Sequence, residues 1–281
     1  MFADNRENRV PDRIDMDAYL HRIGWHGAVA VDLTTLRGLA MAHVAAIPFA
    51  NLNPLMGLPV ELDLAALQQK LVQQGRGGYC FEQNLLFEAV LRQIGFAVTG
   101  LIARVLWGHP EDAITPQTHM LLRVDLAGEG WLVDVGFGGH VLTGALRLQP
   151  DIEQPTGHEP FRLLRHDAEW RMQSLAHGLW RTLYRFDLQP TPWVDYVVAN
   201  HYVSTHPASR FVSNLMLGRT TADRRLGLFN REFTVRRSGH EPERRTLRDV
   251  SELRHVVEHE FLLRIPAGAD IDRRLEGLPQ S

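Results

Sequence analysis

The hydrophobic pattern of this 281-residue chain changes at Gly95. Before Gly95, apolar residues recur at intervals of three and four, which is the spacing of amphipathic helices. After it, β-branched residues alternate with polar ones, as in FAVTGLIARVL (96–106) and THMLLRVDL (118–126). This order predicts an α+β protein in which a bundle of helices precedes an antiparallel sheet.

Four helices are predicted before Gly95, each closed by a glycine or a proline. Their expected positions are from Asp15 to Gly24, from Leu33 to the stop at Pro48, from Asp63 to Gln74, and from Cys80 to Ile94. The third and fourth helices are followed directly by Gly75 and Gly95, which favour the left-handed conformation that ends helices.

The centre of the chain is rich in predicted strands. GWLVDVGF (130–137), WRTLYRFDL (180–188) and WVDYVVANHYV (193–203) join the two strands above, and turn clusters at 108–110 and 128–130 favour antiparallel pairing in a barrel or curled sheet. Beyond them we expect a helix over 208–217, strands near 226–237 and an amphipathic helix that begins at Asp249.

Composition and charge narrow the classes of function. The chain carries 30 Lys and Arg against 33 Asp and Glu, which gives no general electrostatic reason to bind nucleic acid or an anionic membrane. No stretch reaches the roughly 18 to 20 apolar residues of a membrane span, and the polar first dozen residues predict a loose tail. A single cysteine cannot form an internal disulfide, so we expect a cytoplasmic protein.

That single cysteine, Cys80, follows the glycine-rich segment 75–78 and begins a predicted helix. The positive end of the helix dipole and its unpaired N–H groups favour a thiolate there and could stabilise an oxyanion. Gly77 and Gly78 leave room for a ligand beside the sulfur. The alternative is that Cys80 packs as a small buried apolar residue, which is the usual environment of a free cysteine.

A cysteine nucleophile needs a histidine base and a group that orients the histidine. His119 begins a predicted strand, and Asp134 lies in an otherwise apolar one. A two-residue turn at Gly128-Glu129 would set Asp134 opposite Arg123 and on the same face as His119, but about 13 Å away along the strand. The alternative for Asp134 is an exposed acid paired with Arg123 or solvent.

Three segments together make the chain resemble the arylamine N-acetyltransferases: RGGYCFEQN (76–84), THMLLRV (118–124) and VDVGFG (133–138). The resemblance implies that Cys80 takes the acetyl group of acetyl-CoA, that His119 forms an ion pair with the thiolate, and that Asp134 orients the imidazole. It implies ping-pong transfer to arylamines, arylhydrazines or arylhydroxylamines, a reaction of xenobiotic metabolism. Residues expected around the donor or acceptor pocket are Trp107, Thr118, Phe137 and Gly138.

The resemblance also implies a fold with a cysteine-protease-like core. Its parts are a helical bundle over 1–95 with Cys80, a β-barrel over 96–205 with His119 and Asp134, and a C-terminal α/β lid over 206–281. Ala50 departs from the glutamate common in the family. Acetyl-CoA is expected as a cosubstrate, with no tightly bound cofactor and no metal, and the assembly as a monomer or a homodimer.

Other functions remain open at the level of sequence. An amide synthase or a cysteine hydrolase could use the same Cys-His-Asp order, and a binding module would leave Cys80 unreactive. HVVEH (255–259) matches the H-x-x-E-H motif of inverted zinc proteases. A solvated helix face explains HVVEH better, because His255 and Glu258 are interspersed with apolar residues and only 22 residues follow.

Overall fold

The computed structural model describes residues 13–176, 178–265 and 269–279. The predicted loose tail lies outside these ranges. Residues 13–95 form five α-helices, one π-helix described below and one short strand. The α-helices and the strand are α1 (Met16–Arg22), α2 (Leu33–Ala46), β1 (Phe49–Ala50), α3 (Leu52–Leu55), α4 (Leu64–Leu67) and α5 (Cys80–Ile94). None of the helices within the described ranges is long and apolar enough to cross a membrane.

Local capping explains where the long helices begin and end. The Asp15 carboxylate accepts a hydrogen bond from Ala18 N at 3.0 Å, and Asp32 accepts one from Thr35 N at 2.7 Å. Helix α5 runs from Cys80 to Ile94 as predicted, and Gly95 closes it with φ at 114°.

The third predicted helix differs in its second half. After α4 the chain continues as a π-helix over Gln68–Gln73, so residues 63–74 are helical throughout but not uniformly α. The wider turn still buries Leu67, Leu71 and Val72 together. These buried residues are spaced by four positions and then by one, a spacing that fits an α-helix and a π-helix equally.

The central sheet contains eight antiparallel strands. They are β2 (Ala97–Val105), β3 (Gln117–Leu126), β4 (Glu129–Val133), β5 (Leu146–Arg147), β6 (Glu153–Gln154), β7 (Phe161–His166), β8 (Glu169–Ala176) and β9 (Leu179–Phe186), in the order β5-β4-β3-β2-β9-β8-β7-β6. The Gln154 side chain joins the two edges, since its amide donates to Arg147 O at 3.0 Å and accepts from Arg147 N at 2.8 Å. The sheet thus closes almost completely into the predicted barrel.

The strand predicted over 193–203 is wrong, because this segment forms helix α6 (Trp193–Thr205). Its buried residues recur with helical spacing and are Tyr196, Ala199, Asn200, Val203 and Ser204. The β-branched residues that suggested a strand, Val194, Val197 and Val198, are exposed on the opposite side. Burial of one helical face outweighed the weak β preference of the valines.

The C-terminal part combines a second sheet with short helices. Its elements are α7 (Arg210–Ser213), β10 (Met216–Thr220), β11 (Arg225–Phe229), β12 (Glu232–Arg236), β13 (Glu243–Thr246), α8 (Val250–His259) and α9 (Ala269–Glu276). The sheet order is β1-β10-β11-β12-β13, so β1 of the N-terminal part forms its edge. The helix predicted over 208–217 is reduced to α7, because Met216 and the residues after it pair with β11 instead. The strands near 226–237 and the helix after Asp249 are confirmed.

Candidate active site

Cys80 is the first residue of α5 and is 3% exposed. The Glu82 carboxylate accepts a hydrogen bond from Tyr79 N at 3.1 Å and so fixes the start of the helix. The Cys80 sulfur lies 3.5 Å from Thr118 O, at the beginning of β3. Cys80 is therefore buried in a hydrophobic cluster shared by the first helices and the central sheet, and its sulfur also lies beside a main-chain carbonyl.

The turn between β3 and β4 brings His119 and Asp134 closer than the sequence suggested. The turn residues are Ala127 and Gly128, with φ of 52° and 79°, and not Gly128 and Glu129. Leu122 consequently pairs with Val133, which sets position 134 two residues from His119 along the sheet instead of four. A shift of two residues preserves the face, so the predicted common side of the sheet is retained.

His119 and Asp134 are in direct contact. The imidazole Nε2 lies 2.7 Å from Asp134 Oδ2, and the two side chains are only 4% and 1% exposed. Arg123, the alternative partner of Asp134, instead binds Asp125 at 2.7 Å. Since Nε2 is occupied by Asp134, the other ring nitrogen remains for the Cys80 thiol.

The surroundings of His119 and Asp134 favour the charged form of each. Burial alone would lower the pKa of His119, but the charge and hydrogen bond of Asp134, with smaller contributions from Cys80, raise it to about 10. Burial would raise the pKa of Asp134, but His119, Gly136 N and Asn84 lower it below its ordinary value. A thiol beside an imidazolium that a carboxylate holds is an arrangement suited to nucleophilic attack on an acyl group.

Two further side chains hold Asp134, and the sequence analysis did not identify them. Asn84 donates to Asp134 Oδ1 at 3.1 Å and to Met120 O at 2.8 Å, and Tyr184 donates to Asp134 Oδ2 at 3.0 Å. Asn84 lies one helical turn after Cys80, which is a signal that was available in the sequence. No local signal indicated Tyr184, because β9 reaches the site by pairing with β2, some 80 residues earlier in the chain.

Gly136 allows the segment after β4 to lie against the start of α5. A Cβ at this position would lie 2.6 Å from Cys80 Cα and 2.7 Å from Asn84 Nδ2. Real Cβ atoms do not approach backbone so closely, so a larger residue would push α5 away from β4. Glycine at 136 therefore sets the separation between Cys80 and Asp134.

Substitution of Gly136 by Ala is expected to destabilise the protein by about 1 to 3 kcal/mol, the usual cost of overpacking a core. We also expect slower alkylation of Cys80 by iodoacetamide, because α5 must shift. Gly227→Ala in β11 is a matched control, since nothing lies within 4 Å of the added Cβ. Equal effects of the two substitutions in urea unfolding and in alkylation would contradict the steric argument.

The four predicted pocket residues lie in different surroundings. Phe137 packs edge-on against the His119 ring at 5.1 Å, and Trp107 contacts the His140 ring at 4.2 Å. Thr118 provides the carbonyl near Cys80, and Gly138 has φ at 79°, where an added Cβ would lie 3.3 Å from the Phe49 ring. Thr118 and Phe137 thus adjoin Cys80 or His119, whereas Trp107 lines a separate cavity together with His109 and Arg181. Their role in substrate binding stays a prediction.

A cavity of about 470 Å³ lies between the barrel and the C-terminal sheet. The arginines and histidines on its wall are His140, His158, Arg225, Arg236, Arg237 and His240. Glu159 and Glu241 also line it, and Glu159 pairs with Arg225 at 2.9 Å. Arg225 Nη2 and Arg236 Nε are buried, and no described group accepts a hydrogen bond from either. The cavity wall is connected to the candidate site through the main chain. Arg236 donates to Gly139 O at 2.7 Å, and Gly139 is two residues after Phe137. Because three arginines stand against two glutamates on this wall, the cavity is suited to a negatively charged ligand.

The HVVEH segment lies on α8, where the His255 and His259 rings stack at 4.1 Å. Both histidines are exposed, and Val256 and Val257 are buried against the C-terminal core. In residues 13–176, 178–265 and 269–279, no three His, Cys, Asp or Glu side chains are grouped so that they could hold a metal ion.

Comparisons with known proteins agree with this geometry. A family model described as N-acetyltransferase matches residues 32–269. The arylamine N-acetyltransferase of Escherichia coli (strain K12) is 43% identical over 247 residues, which are 88% of this chain and 88% of that protein. The solved M. smegmatis arylamine N-acetyltransferase has a TM-score of 0.90 and 40% identity, and covers 94% of this chain and 98% of its own. The Mycobacterium marinum enzyme in complex with CoA has a TM-score of 0.91 and 38% identity, with 94% and 99% covered.

Proposed function

The chain belongs to the arylamine N-acetyltransferase family, as its three motifs predicted, and from this membership we propose that it transfers an acetyl group from acetyl-CoA to an arylamine, arylhydrazine or arylhydroxylamine through an acetylated Cys80. The observation that carries the proposal is the contact between buried His119 and Asp134 beside the Cys80 sulfur. Family membership makes the protein an acyltransferase, whereas the roles of the three residues belong to the proposal.

In the first half of the reaction, the Cys80 thiolate attacks the thioester carbon of acetyl-CoA. The N–H groups in the first turn of α5 lack helical partners and stabilise the oxyanion that forms. Collapse of this intermediate breaks the bond from carbon to the CoA sulfur, and the His119 imidazolium gives its proton to the departing thiolate. Cys80 then carries the acetyl group, and His119 is neutral.

In the second half, the amine nitrogen attacks the acetyl carbon of the thioester. Neutral His119 takes the proton that the nitrogen loses, and the bond to Cys80 Sγ breaks. The thiolate and the imidazolium are thereby restored. Asp134 remains ionised throughout and supports the imidazolium in both halves, because its pKa lies below the ordinary value.

The cavity that Arg225, Arg236 and Arg237 line is the proposed site for the phosphate groups of acetyl-CoA. Unpaired guanidinium nitrogens in a buried wall are suited to phosphate oxygens. The relative from M. marinum that binds CoA supports the choice of donor. The cytoplasmic location and the state as a monomer or homodimer stay predictions.

Intact-mass spectrometry after mixing with acetyl-CoA tests the proposal. We expect one added acetyl group on the wild type, none on Cys80→Ala, and its loss when an arylamine is added, since the amine consumes the thioester. An unmodified wild-type mass would contradict the proposal. Loss of the acetyl group at the same rate with and without amine would instead indicate a hydrolase.

A further inference from the structure

A row of buried polar side chains crosses the helical bundle and ends beside the Cys80 turn. Tyr19 on α1, His43 on α2 and Gln83 on α5 have no exposed surface. The Tyr19 hydroxyl lies 2.9 Å from His43 Nδ1, and His43 Nε2 lies 2.7 Å from Gln83 Oε1. None of the three contacts His119 or Asp134 through a hydrogen bond among those found in the described residues.

The far end of this row meets the main chain around Cys80. Gln83 Nε2 lies 2.9 Å from Pro48 O, 3.2 Å from Gly78 O and 3.3 Å from Ile47 O. Gly78 is two residues before Cys80, and Gln83 is one helical turn after it. The Gln83 amide therefore joins the turn before the cysteine, the helix that contains it and the segment that follows α2.

The carbonyl groups determine the direction of every hydrogen bond in the row. Three acceptors surround one end of the Gln83 amide, so this end must be the NH2 group. The other end is then the oxygen, which can only accept, and His43 Nε2 must carry the proton. His43 Nδ1 is left as an acceptor, and the Tyr19 hydroxyl donates to it.

The environment of His43 supports this assignment, which requires a neutral ring. Burial, with a smaller effect of Arg22, lowers the pKa of His43 to about 4 despite the opposing effect of the hydrogen bond that His43 donates to Gln83. The Phe87 ring packs edge-on against His43 at 5.3 Å, and the His43 side chain has no exposed surface. His43 is thus a fixed neutral donor to Gln83 near neutral pH.

We propose that Gln83 is a positioning residue for Cys80, and that His43 acts through it by holding the Gln83 amide in one orientation. The inference rests on the proposed role of Cys80 as the acetyl carrier. The turn at Gly77 and Gly78 is also held by main-chain donors on either side: Ala50 N donates to Gly78 O at 2.9 Å, and Tyr79 N donates to the Glu82 carboxylate at 3.1 Å. Neither of these bonds ties the turn to Pro48 O and Ile47 O, so loss of the Gln83 amide would loosen the turn against this segment and let the start of α5 shift.

The expected consequence concerns the rate of reaction at Cys80 and not the binding of the donor. Gln83 does not line the cavity proposed for the phosphate groups. Displacement of the sulfur by about 1 Å can lower a rate about 10²-fold. We therefore expect Gln83→Met, which retains length and flexibility, to slow Cys80 acetylation at saturating acetyl-CoA about tenfold or more. The concentration of acetyl-CoA that gives half of the maximal rate should not change.

Rapid-quench mass spectrometry measures this acetylation, and iodoacetamide measures the reactivity of Cys80 without any acetyl transfer. The control is Gln173→Met, because Gln173 is a buried glutamine of β8 that binds Arg162 and Thr182 away from Cys80. If both glutamine variants lose folded protein equally but only Gln83→Met slows Cys80 in the folded fraction, the positioning role is supported. Equal rates in the folded fractions of wild type and Gln83→Met would overturn it.

A double-mutant cycle tests whether His43 acts through Gln83, and it includes a variant that retains the amide. His43→Phe preserves an aromatic ring but removes the donor to Gln83 Oε1, so we expect slower Cys80 alkylation. Adding Gln83→Met to His43→Phe should slow alkylation no further, because both changes release the same turn. Additive effects would overturn the role of His43.

A wild type that is alkylated but not acetylated would reject the proposed function and leave the alkylation test of Gln83 intact.

Discussion

Asp134→Asn is expected to lower kcat about 10⁴-fold, the loss that the same change causes in another catalytic triad. The carboxylate charge is the principal reason that the pKa of His119 rises to about 10 despite burial. The asparagine amide is uncharged, so the imidazole would lose its proton near neutral pH. The thiolate would then lose its counter-ion. Asn and Asp have nearly the same size, so the substitution adds no steric change to the loss of charge.

The hydrogen bonds around Asp134 make this substitution severe in either orientation of the amide. Four groups donate to the carboxylate: Asn84 Nδ2 and Gly136 N to Oδ1, and His119 Nε2 and Tyr184 to Oδ2. An asparagine NH2 group at either position would face two donors. Loss of one member of a buried ion pair costs about 3 to 5 kcal/mol, so a lower midpoint in urea unfolding should accompany the loss of kcat.

Asp125→Asn is the matched control for this experiment. Asp125 lies on β3 and pairs with Arg123, and both side chains are partly exposed. Exposed pairs contribute about 0 to 1 kcal/mol, so we expect wild-type kcat and nearly wild-type stability. An Asp134→Asn protein that retains more than about a tenth of the wild-type kcat in its folded fraction would contradict the role of the charge.

The parts of the fold that depend on short-range chemistry could be predicted from the sequence. Asp15, Gly95 and Asp249 mark helix ends through their own side chains or backbone conformation, and the structure places all three as expected. The nucleophile region is of this kind too, because a cysteine after two glycines and before a helical run specifies its own local structure. Residue types within a few positions were sufficient there.

Strand register could not be derived in the same way. We predicted the turn at Gly128 and Glu129, but it lies one residue earlier, at Ala127 and Gly128, and both have a positive φ. Alanine disfavours that conformation, so the pairing of β3 with β4 and the contact of Asp134 with His119 outweigh a local cost. The separation of His119 and Asp134 was therefore overestimated, although their common face was correct.

Long-range contacts limited the prediction further. Tyr184 reaches Asp134 only because the barrel brings β9 beside β2, and α6 is helical because Tyr196 and Asn200 pack onto the core. Neither outcome is visible in the neighbouring sequence, where Val197 and Val198 suggest a strand. The domain boundaries stay predictions, and β1 pairs in the C-terminal sheet although it lies in the first 95 residues.

Alkylation of Cys80 by iodoacetamide is expected to depend little on pH between about 6.5 and 9 in the wild type. The folded pKa of His119 is raised from its ordinary value to about 10, so the ring keeps its proton below that pH and loses it only as the pH rises through about 10. Its positive charge therefore supports the thiolate across the whole interval. The intrinsic rate of the thiolate then varies little.

His119→Ala removes that charge, so the Cys80 sulfur loses its cationic neighbour. A thiol without such a neighbour is mostly protonated at pH 6.5, so we expect alkylation about 10²-fold slower than in the wild type at this pH and a smaller difference at pH 9. Mutation of His166 to Ala, at the exposed end of β7, should leave the wild-type profile unchanged. A wild-type rate that climbs tenfold per pH unit from 6.5 would show that His119 does not pair with the thiolate, because a thiol without a cationic neighbour follows the bulk pH.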